Sequence, residues 1–297
     1  MRRHEPIDGV LVVDKPAGPT SHDIVQQVRR ITGARIGHTG TLDPAATGVL
    51  VLVLGRATRL SSLLTASDKE YLASVRLGRV TDTYDAEGET VEEHAVPDFP
   101  RSEIEAVLER FRGTIEQVPP MFSAIKIDGE PLYRAARRQE VRERPSRTVT
   151  LSSLELLDWS GSHIALRVVC SAGTYVRSLA HDMGQRLGCG AVLESLRRTR
   201  SGIFRIEESI ALETLPSVWK QRLIPVADLL PDLPERVLTL EEAQAAVHGN
   251  PVKDPGCGGG LEEALWRLTY GGDLLALADL REGALRPRIV LCTELPE

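Results

Sequence analysis

The chain has 297 residues, 42% apolar, 26% charged and 4% aromatic, an ordinary globular composition with room for one full-sized domain and a small one. No stretch is long and apolar enough to span a membrane as a helix. The charged start Met1–Glu5 runs into a strand-like segment without a secretory leader, so a cytoplasmic protein is expected. A net charge of -6 argues at first against a nucleic-acid partner, but from Leu229 onward twelve Asp and Glu face six Lys and Arg, so this tail carries the whole excess.

In chain order, a strand over Gly9–Val13 is followed by Thr20 and Asp23 in capping-box spacing, then by the apolar stripe Ile24, Val25, Val28 and Ile31, ending near Gly33. The pattern predicts an amphipathic helix packed on a sheet. Lys15, between Asp14 and Pro16, falls in the connecting loop, where it reads either as a solvated lysine or as a phosphate contact. Gly37–Gly48 holds three glycines, three threonines and a proline, a composition for a shaped loop, and its one carboxylate is Asp43. The run Val49–Leu54 reads as a buried strand that pins this loop to the core. Asp43 is then either a turn-forming Asp-Pro residue or a reactive acid.

Lys69–Leu77 alternates as a half-buried strand with Tyr71 on its apolar face, and Asp82 and Asp85 fall in a Thr- and Asp-rich turn that can satisfy its own backbone. A capped helix is predicted over Ser102–Phe111 and a hairpin turn at Asp128–Gly129. Pro131–Arg138 reads as a short basic helix in an exposed excursion reaching Arg147, with seven basic and four acidic residues from Lys126 onward. A strand over Ile164–Cys170 turns into a helix ending at Leu187, with Tyr175 and Arg177 in its first turn. Arg186–Arg205, five basic residues to one acidic, reads as a local basic surface. Beyond Pro231–Pro234, a natural linker, short apolar runs at Leu274–Ala278 and Ile289–Leu291 indicate a small, mainly-β unit. Cys170, Cys189, Cys257 and Cys292 lack the spacing of a zinc site or a disulfide framework.

The segment GHTGTLDPAATGVL resembles the signature of the TruB family of tRNA pseudouridine synthases. GVLVVDKP before it and GRATR after it, then GRVTDTYD, VPPMFSAIK, SAGTYVRSL and SLRRT, continue the likeness in the family's order over most of residues 7–206. The resemblance implies an α+β fold: a pseudouridine synthase domain over 1–229 with a mixed, mostly antiparallel sheet and helices, a thumb-like RNA-binding insertion at about 119–147, and a small PUA-like module over 230–297. It implies that uridine at position 55 in the tRNA T loop is isomerised. Asp43 takes the catalytic position, His38, Tyr71, Tyr175 and Leu196 line the base pocket, Arg177 pairs with Asp43, and Lys15, Lys126 and Arg137 hold RNA. His38 reads equally as a loop histidine bonded to backbone.

Pseudouridine forms when the bond from ribose to N1 of uracil breaks, the base turns and C5 is attached instead. No electrons or groups enter, so the expectation is tRNA as the partner with no cofactor, metal, membrane or obligatory protein partner, and a monomer. A carboxylate beside the sugar can act as nucleophile, base or stabiliser of positive charge, and all three roles stay open for Asp43. Two other classes are a non-catalytic RNA-binding or folding factor, disfavoured by the intact Asp43, Tyr71 and Arg177 set, and a guide-RNA-directed subunit like the dyskerin group, disfavoured by the insertion at Met121–Arg147. A metabolic enzyme unrelated to RNA is a distant third.

Overall fold

A computed structural model describes residues 7–295 apart from 124, 128, 139, 141 and 254–264; Met1–Glu5, Asp128, Cys257 and Gly258–Gly260 therefore lie outside the described residues. The main sheet is built from β1 (Gly9–Lys15), β2 (Ile36–His38), β3 (Thr47–Leu54), β4 (Lys69–Leu77), β5 (Gly113–Gln117), β6 (Arg147–Ser160), β7 (His163–Cys170), β8 (Ala191–Ser201) and β9 (Ile210–Ala211). Its order is β9-β1-β3-β8-β4-β7-β6-β5, with β2 on β3 and the short strand Phe204–Arg205 on β8. Only β1 with β9 and β3 with β8 run parallel, so the sheet is mixed and mostly antiparallel, as expected.

Burial follows the sequence periodicity. β4 alternates because one face is covered, whereas β3 is a continuous apolar run because both faces are. On one face Leu11, Val13, Leu50, Leu52 and Leu54 pack against Ile24, Val25 and Val28 of helix α1 (Ser21–Thr32). On the other, Val10, Val12, Val49, Val51 and Val53 pack against Leu274, Leu277 and Leu291 near the C-terminus. α1 starts with the expected capping box at Thr20 and Asp23 and stops at Gly33. Helix α2 spans Arg101–Glu109 and is preceded by Pro100, which offers no side-chain cap, so the cap expected at Ser102 is absent.

The excursion after β5 contains helix α3 (Leu132–Arg137), preceded by the paired two-residue strands Lys126–Ile127 and Glu130–Pro131. It is less exposed than its composition implies, because Leu132 and Ala135 are buried. Helix α4 (Val176–Leu187) lies against β8, where Gly184 allows the contact: a Cβ there would come within 2.1 Å of the Ala191 nitrogen. The C-terminal unit has helix α5 (Leu240–Val247) and a separate five-stranded sheet drawn from residues 235–290, mainly β as its apolar runs indicate. Among the described residues no helix is long and apolar enough to cross a membrane.

Candidate active site

Asp43 sits on the loop between β2 and β3, and three side chains distant in sequence hold that loop by its backbone. Lys15 donates to the carbonyls of Pro16, Pro44 and Ala46 at 3.0, 2.9 and 2.7 Å. Ser21 Oγ accepts from the Leu42 N–H at 2.8 Å and donates to the Leu42 carbonyl at 2.9 Å. Arg198 on β8 donates to the carbonyls of Val49 at 2.7 Å and Gly40 at 3.0 Å. The loop carbonyls of Gly40, Leu42, Pro44 and Ala46 thus find donors inside the protein, and with Val49 at the start of β3 also held, the direction of the Asp43 side chain is fixed. The loop is shorter than the sequence pattern: Gly37 and His38 belong to β2, Thr47 and Gly48 to β3.

Two sequence expectations change here. Lys15 is the last residue of β1, is 0% exposed and has its three hydrogens committed to carbonyls, so it is neither solvated nor free to touch a phosphate. Burial lowers its pKa, opposed by the charge of Asp43. The stretch Arg186–Arg205 is not a basic surface throughout: Arg198 is buried under the loop, and Arg197 is neutralised by Asp14 at 2.7 Å.

Arg177, in the first turn of α4, grips Asp43 with two nitrogens, Nε to Oδ2 at 2.9 Å and Nη2 to Oδ1 at 3.2 Å. The guanidinium is itself held by the Phe122 carbonyl at 2.9 Å and the Thr83 carbonyl at 3.2 Å, with Asp85 Oδ2 at 3.5 Å from Nη1. Its side chain is 7% exposed while that of Asp43 is 41% exposed, so the buried cation aims an accessible carboxylate outward. Burial of the site raises the Asp43 pKa and Asp85 adds to this, while Arg177 and Lys15 pull it down. A carboxylate in bidentate contact with a guanidinium is ionised at neutral pH.

The carboxylate opens into a cleft of about 590 Å³, a size suited to a nucleotide. Tyr71 on β4, Leu196 on β8, Tyr175 ahead of α4 and His38 at the end of β2 line it, together with Phe122, Ser123 and Tyr133 from the excursion. Burial keeps both tyrosine hydroxyls neutral by raising their pKa. Tyr175 is the residue before α4 and not in its first turn; Gln117 clamps it there, accepting from its N–H at 2.8 Å and donating to its carbonyl at 3.1 Å. Burial, then the nearby charge of Arg198, lowers the pKa of His38, so the ring is neutral. Its Nδ1 has no hydrogen-bond partner among the described residues.

Lys126 and Arg137 do not line the cleft but are exposed on the excursion, the guanidinium of Arg137 lying 5.5 Å over the Tyr133 ring. Arg138 and Arg142 are neutralised by Glu130 and Glu140. The sequence pattern missed Tyr133, although it stands four residues before Arg137 in a predicted helix, the spacing of one face. It also missed Lys69, a buried cleft residue whose pKa burial lowers to about 8, and gave Asp85 only a turn role.

A family model described as "TruB family pseudouridylate synthase (N terminal domain)" matches residues 28–176, and one described as "tRNA pseudouridylate synthase B C-terminal domain" matches 177–245. The chain belongs to the TruB family. The tRNA pseudouridine synthase B of Azoarcus sp. (strain BH72) is 45% identical over 293 residues, covering 97% of this chain and 96% of that protein. That of Chromohalobacter salexigens is 44% identical over 298 residues, covering 98% and 97%. A crystal structure of a Cbf5-Nop10-Gar1 complex contains a chain that is 31% identical with a TM-score of 0.74, covering 95% of this chain and 84% of that one. Asp43, Arg177 and the cleft residues His38, Phe122, Ser123, Tyr175 and Leu196 fall in the motif segments on which the sequence resemblance rests, whereas Lys69, Tyr71 and Tyr133 lie outside them.

Proposed function

We propose that the chain converts the uridine at position 55 in the T loop of tRNA into pseudouridine, with Asp43 as the carboxylate that acts at the ribose. As a TruB family member it is a tRNA pseudouridine synthase, an isomerase; the position of the target and the role of Asp43 are the finer parts of this reading. The observation that carries it is a carboxylate, gripped by a buried arginine, at an accessible point of a cleft walled by Tyr71 and Leu196.

The chemistry follows from that arrangement. A uridine in a folded loop must leave its stack to enter a cleft, and the face of Tyr71 replaces the lost stacking. Leu196 gives the base an apolar wall. As the N1–C1′ bond breaks, positive charge develops at C1′ and negative charge on uracil; Asp43 meets the former, and Arg177 holds the carboxylate in place. The base then turns, C5 bonds to C1′, the proton on C5 leaves and N1 gains one, so atoms and electrons balance without any co-reactant.

Residues 1–229 then form the catalytic unit and 230–297 a second module. The excursion at 119–147 acts as a thumb over the RNA, where exposed Lys126 and Arg137 meet phosphates. The relatives at 44 and 45% identity are named tRNA pseudouridine synthases, which favours a stand-alone enzyme over a guide-directed subunit. Incubation with an isolated T stem-loop tests this choice: conversion of its uridine without any guide RNA is expected, and a strict need for a guide would contradict it.

A further inference from the structure

Ser123 lines the cleft that holds Asp43 and is only 4% exposed, yet its hydroxyl has no hydrogen-bond partner among the described residues. Its backbone is satisfied: the N–H donates to the Met121 carbonyl and the carbonyl accepts from the Tyr133 N–H, both at 3.0 Å. The Tyr175 hydroxyl lies close enough to act on Ser123 as a weak partner, which opposes the rise that burial gives the Tyr175 pKa, but it stands outside the distance and angle of a full hydrogen bond. A buried hydroxyl left unpaired is unfavourable, so its presence in a ligand-sized cleft points to a partner that arrives with the substrate.

Ser123 is also tied to the reacting acid. The carbonyl of its neighbour Phe122 accepts from Arg177 Nη2, the same nitrogen that bonds Asp43 Oδ1. The hydroxyl therefore has a fixed place relative to the carboxylate.

Uracil has a symmetry that gives such a hydroxyl a use. A half turn about the line through N3 and C6 exchanges N1 with C5 and, with them, O2 with O4. A donor that holds one carbonyl before the bond breaks meets the other carbonyl after the turn. We propose that Ser123 Oγ donates a hydrogen bond to a uracil carbonyl oxygen, to one of O2 and O4 before rotation and to the other after it, keeping the cleaved base in register for attachment through C5. This rests on the placement of the target base in the cleft argued above.

The test compares the wild-type enzyme with Ser123→Ala and Ser123→Thr under single-turnover conditions at saturating T stem-loop RNA. The target is uridine, 2-thiouridine or 4-thiouridine, because sulfur is the weaker acceptor. The expected result is a loss of about threefold to tenfold with uridine in Ser123→Ala at unchanged RNA affinity, recovered in part by Thr. The sulfur substitutions should slow the wild type and slow Ser123→Ala little further. No loss in Ser123→Ala, or an equal loss with all three substrates, would overturn the proposal and leave Ser123 as a support for Tyr175. Should Ser123→Ala fail to fold, Ser123→Cys, similar in size and a weaker donor, makes the same comparison. A wild type that leaves the uridine untouched would instead bring down the functional reading and this proposal together.

Discussion

At Asp43 two opposing influences act on one proton: burial and Asp85 favour the neutral acid, Arg177 and Lys15 the ionised one. If the ionised form acts at the ribose, the rate falls as pH drops through the folded-state pKa, which lies above the ordinary 3.8. Arg177→Gln removes the cation that does most to hold that pKa down. The acid limb of a single-turnover pH profile should then move to higher pH by about one unit or more, with the rate at neutral pH reduced. Linkage runs the same way: a carboxyl whose pKa rises on folding costs stability once ionised, and that cost is absent below the unfolded value. Asp43→Asn should therefore keep the melting temperature within a few degrees, since Asp85 still faces Arg177. Asp43 and Arg177 were legible because each stands in a distinctive motif, and Tyr71 because it falls on the apolar face of an alternating strand that the resemblance sets against the base. Lys15 was not, because a lysine in a turn-like setting reads as surface, and its burial depends on carbonyls 29 and 31 residues away.

The loop and the thumb are where elements rely on contacts that no local pattern encodes. Lys15→Met keeps much of the volume but removes the donor to the Ala46 carbonyl and leaves the Pro44 carbonyl only the Gly18 N–H, so urea denaturation should show a loss of about 1–3 kcal/mol. Gly48 has φ +101°, and a Cβ there would lie 2.2 Å from the Arg198 carbonyl oxygen, across the parallel register of β3 and β8. The glycine was legible as a loop residue; the close approach that requires it was not, because it depends on strand pairing 150 residues apart. In the thumb, total basic charge overstated what is available to RNA. Lys126→Ala should lower the salt slope of tRNA binding by about one, whereas Arg138→Ala should leave it unchanged, because Glu130 and Glu140 already neutralise that arginine.

Across the whole molecule, the unbroken apolar run of β3 announced a strand covered on both faces without saying by what. The second cover is the C-terminal unit, through Leu274, Leu277 and Leu291 against Val10, Val12, Val49, Val51 and Val53. The acidic balance of the tail is thus carried by a unit that packs on the sheet face opposite α1. Cutting the chain after residue 229 would bare that apolar face, so the shortened protein should aggregate or unfold at temperatures where the full chain stays monodisperse, as read by light scattering. A shortened chain that remains soluble and equally stable would show that the contact contributes little.

The role of Asp43 is tested by mapping pseudouridine in an unmodified tRNA transcript after incubation with the wild type or with Asp43→Asn, each checked for folding and tRNA binding. The wild type is expected to convert the T-loop uridine, and Asp43→Asn to bind the tRNA with activity lower by at least about 10³-fold. Conversion by both proteins at similar rates would make Asp43 a structural residue and contradict the proposed function of the carboxylate.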